Sequence, residues 1–198
     1  MNTKTNDTRQ HILDVGYQLV VSKGFTNVGL SELLKTADVP KGSFYHYFKS
    51  KEQFGEALIN DYFADYSQRI HALFADQHGT AYQRLMRYWQ YWYEQSEGQC
   101  HAQRCLVVKL SAEVADLSDA MRIALLNGAN SIIHAIAQCI EQGVNEGSID
   151  VQHSQLTAEL LYNLWIGASL LSKLRQDNQG LVQALLTTEQ ILQGKAAS

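Results

Sequence analysis

Residues 31–54 read SELLKTADVPKGSFYHYFKSKEQF. Leu33 and Leu34, with Leu30 just ahead of them, put apolar side chains on one face of a short helix that runs from Leu30 to Ala37. Asp38-Val39 then makes a tight turn. Pro40, whose φ is preset for a first helical position, opens a second short helix that ends near Phe48. Phe44 and Phe48 are four apart and share the face turned toward the first helix. Two short helices joined by a four-residue turn have helix-turn-helix geometry, in which the second helix enters the DNA major groove. The polar side of that helix carries Lys41, Ser43, Tyr45, His46 and Tyr47, and Lys49 and Lys51 follow. Hydroxyls and cations at this density suit phosphate clamping better than a merely solvated face.

Working outward, a helix over 8–23 presents Ile12, Leu13, Val15, Leu19 and Val20 inward and is stopped by Gly24, with Phe25 buried behind it. On the other side Ser50 caps a long helix over 51–75, with Glu52 near its positive end. Further helices are expected over 80–96 and 102–115. Ser118 caps one that ends at Gly147, and Ser154 caps one that runs to about Gln176. A last helix follows Gly180 and ends at Gly194. Pro40 is the chain's only proline and strand-like alternation is absent, so the fold class is all-α. The expected division is a three-helix helix-turn-helix DNA-binding domain over 1–50 and a helical ligand-sensing and dimerisation domain over 51–198.

Bulk properties agree with this division. The net charge of −4 is unevenly spread: residues 1–55 hold seven Lys/Arg against five Asp/Glu (+2), and the remainder holds nine against fifteen (−6). Under physiological screening the local field decides, so a basic end on an acidic body can still bind DNA. Charged residues are only 18% of the chain, which hints at apolar surface that meets a partner. The segment Met1–His11 is polar, unlike a signal peptide, and the nearly apolar run Leu160–Leu171 is too short to span a bilayer. A cytoplasmic protein without a membrane partner is expected. Its three cysteines are expected to be free thiols.

Several kinds of chemistry are disfavoured. The residues Cys100, His101 and Cys105 fit no structural zinc spacing, and His134 and Cys139 stand five apart on one helix, so no metal is expected. The tetrapeptide PKGS lacks the glycine spacing of a phosphate loop, and neither GxSxG nor HExxH occurs. Neither an enzyme nor a cofactor is expected. A helical scaffold that does not bind DNA is the alternative from another class, and salt-sensitive binding to promoter DNA separates the two.

Two features concern regulation and assembly. Tyr88, Trp89, Trp92 and Tyr93 lie in one aromatic-rich helix. Most of them suit core packing at helical spacing, and their polar handles also suit the wall of a pocket for a small apolar molecule. Near the end of the chain, Leu156, Leu160, Leu164, Ala168 and Leu171 form one apolar stripe, and the last helix offers Leu181, Leu185, Ile191 and Leu192. These could belong to an intramolecular core or to a four-helix bundle made by two copies of the chain.

The pattern VPKGSFYHYFKSKEQF, after a helix of the SELLKTADV type, resembles the TetR family of bacterial repressors. The likeness covers the first quarter strongly, and the all-helical remainder agrees with it. It implies a homodimer on double-stranded operator DNA that is released by a small-molecule or electrophile inducer. By the same resemblance, Lys41, Gly42, Ser43 and Tyr45 approach base edges, while His46, Tyr47 and Lys51 hold phosphates. Gly29 stands where the family usually has Thr at the start of the second helix, so a side-chain phosphate contact there is lost.

A narrower likeness lies in residues 104–122, RCLVVKLSAEVADLSDAMR, and 162–173, YNLWIGASLLSK. Both are similar to the NemR-like branch, whose members sense reactive electrophiles and oxidants. The resemblance implies Cys105 as sensor and Lys173 as an ammonium near it. Arg104 and Lys109 add nearby cations, and a helix N-terminus at Cys105 would favour the reactive thiolate. Taken without the resemblance, Cys105 reads as a small buried hydrophobe. A non-covalent ligand in the aromatic-lined pocket is the alternative signal.

Overall fold

The computed structural model describes residues 3–96, 99–100 and 105–195, and side chains over 7–94 and 105–195. Within them the helices are α1 (Thr3–Lys23), α2 (Leu30–Thr36), α3 (Lys41–Tyr47), α4 (Lys51–Ala75), α5 (Ala81–Tyr93), α6 (Leu106–Val114), α7 (Asp119–Asn145), α8 (Ser154–Arg175) and α9 (Gln179–Leu192). Two-residue strands β1 (Gln95–Ser96) and β2 (Gln99–Cys100) pair antiparallel between α5 and α6. The chain forms two compact units, Met1–Asp65 with Lys109–Gly128 and Tyr66–Val108 with Ala129–Ser198, so α4, α6 and α7 are divided between them.

In the first unit an aromatic triangle holds α3 and α4 together. The rings of Phe44 and Phe48 lie 5.3 Å apart, and Phe54 lies 5.7 Å from the first and 5.3 Å from the second. All three are buried, as are Ile12, Leu13, Phe25, Leu33 and Ile59 of the same unit. Close approach of α1 to α4 requires Gly16, because a Cβ there would lie 2.3 Å from Phe54 Cζ. Gly24, at φ +83°, ends α1 in the left-handed conformation that glycine adopts readily.

In the second unit Trp89 of α5 stacks on Trp165 of α8 at 4.8 Å and 10°. Trp165 Nε1–H donates to Thr188 Oγ1 of α9 at 2.9 Å, which satisfies the buried indole. By length and composition α7 could span a membrane, but half of its apolar window is buried inside the fold, as in a core helix.

Several helix ends differ from the sequence reading. Pro40 stands at the N-cap of α3, with extended ψ of 152°, rather than inside the first turn. The helix over 80–96 stops at Tyr93, because Glu94 turns to ψ 141° and the next two residues enter the β1–β2 ladder. The helix over 102–115 begins at Leu106, and residues 101–104 lie outside the described ones. Ser154 is the first residue of α8, not its cap; His153 takes that place without a side-chain bond. Gly180 lies within the first turn of α9.

Candidate nucleic-acid interface and sensor region

The α2–α3 pair is held from several sides. His11 Nε2 of α1 meets Ala37 O at 2.9 Å, and the turn passes through Asp38 at φ +51°. Ser50 Oγ accepts Gln53 N–H at 3.1 Å, and Gln53 Oε1 accepts Lys49 N–H at 2.6 Å, which fixes the exit from α3 into α4. With Phe44 inward, Lys41, Gly42, Tyr45 and His46 are exposed and Ser43 and Tyr47 are half-buried. The Lys41 ammonium lies 5.8 Å over the Tyr45 ring, and the His46 and Tyr47 rings meet edge-on at 4.8 Å. Among the described residues nothing lies within 4 Å of a Cβ built on Gly42 or Gly29, so both present open backbone. A short helix that turns donors outward from an anchored aromatic base can reach groove edges and phosphates.

Lys51 is placed differently. It is half-buried in the first turn of α4, with its ammonium 3.3 Å from Thr26 O and 4.7 Å over the Phe25 ring. Glu113 of α6 accepts the N–H of Phe25 at 3.0 Å and the N–H of Thr26. Burial opposes ionisation of Glu113, but these bonds and the Lys51 charge outweigh it and hold the carboxyl below its ordinary range. Sequence reading missed Glu113. It sits 88 residues from Phe25 with no local signal to mark the pairing.

In the second unit Cys105 is buried, directly ahead of α6. The hydroxyls of Tyr66 and Tyr88 lie 3.1 Å apart, and Trp92 Nε1–H donates to Tyr66 Oη at 2.9 Å. Burial pushes the phenols of Tyr66, Tyr88 and Tyr162 up, and charge on Cys105 adds to the rise at each. A cavity of about 230 Å³ is lined by Tyr66, Arg69, Ile70, Leu73, Tyr88 and Tyr91. Of the aromatics expected at a pocket, Tyr88 lines this cavity, Trp89 and Trp92 are buried in the core, and Tyr93 is exposed. Lys173 is exposed near the end of α8, and Arg104 falls outside the described residues. Burial pushes the Cys139 thiol up to about 11, which keeps it a neutral, unreactive thiol.

Leu156, Leu160, Leu170, Leu171 and Leu174 of α8 and Val182 and Leu186 of α9 are exposed. Leu164 is half-buried, whereas Ala168, Leu181 and Leu192 face the chain's own core. The outward apolar stripe is therefore shifted on α9 relative to the sequence reading.

The donors that α3 turns outward from a helix-turn-helix hairpin, rather than the helical fold by itself, place the chain in the class of DNA-binding regulators. Residues 12–58 match the model for bacterial regulatory proteins of the tetR family, and residues 81–187 match the tetracyclin repressor-like C-terminal domain. The chain belongs to the TetR family. It is 43% identical over 194 residues to the HTH-type transcriptional repressor NemR of Escherichia coli (strain K12), covering 97% of this chain and 98% of that one. It is 32% identical over 178 residues to the HTH-type transcriptional repressor DhaR of Mycobacterium sp. (strain GP1), covering 89% and 88%. The crystal structure of the reduced form of E. coli NemR superposes with a TM-score of 0.87 at 42% identity, over 96% of this chain and 100% of that one.

Proposed function

We propose that this chain is a cytoplasmic, homodimeric repressor that binds operator DNA through α3 and leaves it when Cys105 reacts with an electrophile or oxidant. The observation that carries the DNA-binding reading is the display on α3. Lys41, Gly42, Tyr45 and His46 face outward from a helix whose Phe44 and Phe48 are locked into the core. Lys41, Gly42, Ser43 and Tyr45 approach bases, and His46, Tyr47 and Lys51 approach phosphates. The two copies meet through the exposed leucines of α8 and α9, and a two-fold helix-turn-helix dimer reads half-sites roughly 34–36 Å apart. A near-palindromic operator follows from that two-fold symmetry.

The position of Cys105 supports a thiol sensor, because a sulfur at the N-terminus of α6 meets the positive end of the helix dipole. Lys173 is the ammonium that this reading pairs with the modified sulfur. A second reading is favoured by the cavity between α4 and α5, whose 230 Å³ and aromatic wall suit a small apolar ligand bound without covalent chemistry. The test is a gel shift with the DNA beside the protein's own gene, with and without N-ethylmaleimide, methylglyoxal and hypochlorite. Specific, salt-sensitive binding that these reagents abolish supports the proposal. Absence of specific binding would return the chain to the scaffold class.

A further inference from the structure

Arg9 of α1 places its guanidinium 5.5 Å over the ring of Phe48. Phe48 is buried and is the C-cap of α3, so this cation is held where the reading helix ends. Arg9 is half-buried, and among the described residues no carboxylate pairs with it. The acids Asp14 and Asp61 are met instead by Gln10, whose side-chain amide donates to them at 3.0 and 2.8 Å. Lys49 follows Phe48 and is exposed, with its backbone N–H fixed by Gln53 Oε1, so a second cation stands at the same corner. The Lys51 ammonium, by contrast, is engaged by Thr26 O and the Phe25 ring. A guanidinium that rests on an aromatic ring keeps its fork of N–H donors for an anion. No acid among the described residues occupies that fork, so the anion it suits comes from outside the chain. Arg9 also precedes residues 12–58, the stretch that matches the tetR-family model, so no role comes to it from the family.

We propose that Arg9 holds a backbone phosphate of the operator at the C-terminal end of α3, beyond the contacts that the residues of α3 make themselves. This inference rests on the reading of α3 as the helix that enters the groove. The seven residues of α3 span about 10 Å of helix axis, with Lys41 at the first and Phe48 just past the last. Cations at the two ends therefore reach different phosphates, and together they fix the tilt of the helix in the groove. The perch of Arg9 is firm, because the Phe48 ring lies 5.3 Å from both Phe44 and Phe54 in the triangle that anchors α3. A guanidinium already seated on that ring loses less side-chain freedom when DNA arrives. Phosphates look alike at every base pair, so Arg9 adds affinity and register and leaves base preference to the exposed face of α3. A purely structural Arg9, whose stem only shields Phe48 from water, would affect stability and not the salt dependence of binding.

The experiment measures anisotropy of labelled duplexes with the full-length protein over a series of salt concentrations. One duplex is the DNA beside the protein's own gene, and the other is unrelated in sequence. Arg9→Met keeps an apolar stem over Phe48 and removes the charge. It is expected to weaken binding to both duplexes about three- to tenfold at physiological salt and to lower the salt slope by about one unit. Arg9→Lys should restore the slope, because it returns the charge without the fork. Arg9→Gln gives the same readout as Arg9→Met should the Met variant be insoluble. A wild-type slope and affinity in a folded, uncharged Arg9 variant would overturn the inference, and so would a lowered melting temperature with an unchanged slope. Failure of the wild-type protein to bind its own upstream DNA in a salt-sensitive way would instead remove the DNA-binding reading on which the inference stands.

Discussion

The Glu113 carboxylate accepts the backbone N–H of Phe25 at 3.0 Å, tying α6 to the loop between α1 and α2. The adjacent Thr26 N–H goes to the same carboxylate, and the Lys51 ammonium covers the Phe25 ring and reaches Thr26 O. Two N–H donors that follow a helix end are thus satisfied by one acid from a distant helix.

Glu113→Ala should lower stability by about 1–3 kcal/mol, because it leaves two backbone donors without their acceptor. The effect has a defined pH sense. The folded-state pKa of Glu113 lies below its unfolded value, so its contribution is complete above the unfolded value of about 4.3. It is lost as pH falls through the folded-state value. Thermal melts of wild type and Glu113→Gln should therefore differ near neutrality and converge in acid. A gap that stays constant down to pH 3 would argue against an ionised Glu113.

Substitutions on α3 should separate specificity from affinity. Lys41→Ala or Ser43→Ala should change base preference by about 1–3 kcal/mol at one operator position, read by competition among operator variants. Lys51→Ala should weaken binding to all sequences and lower the salt slope by about one unit. It should also lower the melting temperature, because its contacts with Thr26 and Phe25 are lost. An unchanged salt slope beside a lowered melting temperature would make Lys51 a packing residue and leave the phosphates to His46 and Tyr47.

Leu160→Asp tests the assembly more cleanly than Leu164→Asp. Leu160 is 55% exposed in the single chain, so a charge there should spare the fold, whereas Leu164 is half-buried. Sedimentation should show a folded monomer with lost operator binding, as expected for a charge placed in an apolar interface. A dimer of normal size would move the interface away from α8.

The helix-turn-helix was legible because its signals are local. A Leu-rich turn, the Asp38 turn, Pro40 and the Phe44–Phe48 pair lie within twenty residues and agree with one another. Helix ends were less legible. Ser154 looked like a cap, yet His153 holds that place, and Tyr93 ends α5 because the β1–β2 ladder takes the following residues. Long-range partners left no trace in the sequence. Trp89 reads equally well as pocket wall or core until its stack on Trp165, far along the chain, is seen. The same holds for Glu113 at the Phe25 loop and for the tyrosines whose phenols feel Cys105. Tertiary pairing fixed these, and periodicity carries no information about it.

In the proposed function DNA release runs through Cys105. The most direct measurement is fluorescence anisotropy of labelled operator DNA bound to wild type, Cys105→Ser and Cys100→Ser/Cys139→Ser, titrated with N-ethylmaleimide and with hydrogen peroxide. Wild type and the double variant should release the DNA, since burial pushes the Cys139 thiol up to about 11 and leaves it inert. Cys105→Ser should stay bound through the same titration. Release of Cys105→Ser at the wild-type reagent concentration would rule out Cys105 as the sensor and leave the cavity walled by Tyr66 and Tyr88 as the place where the signal is read.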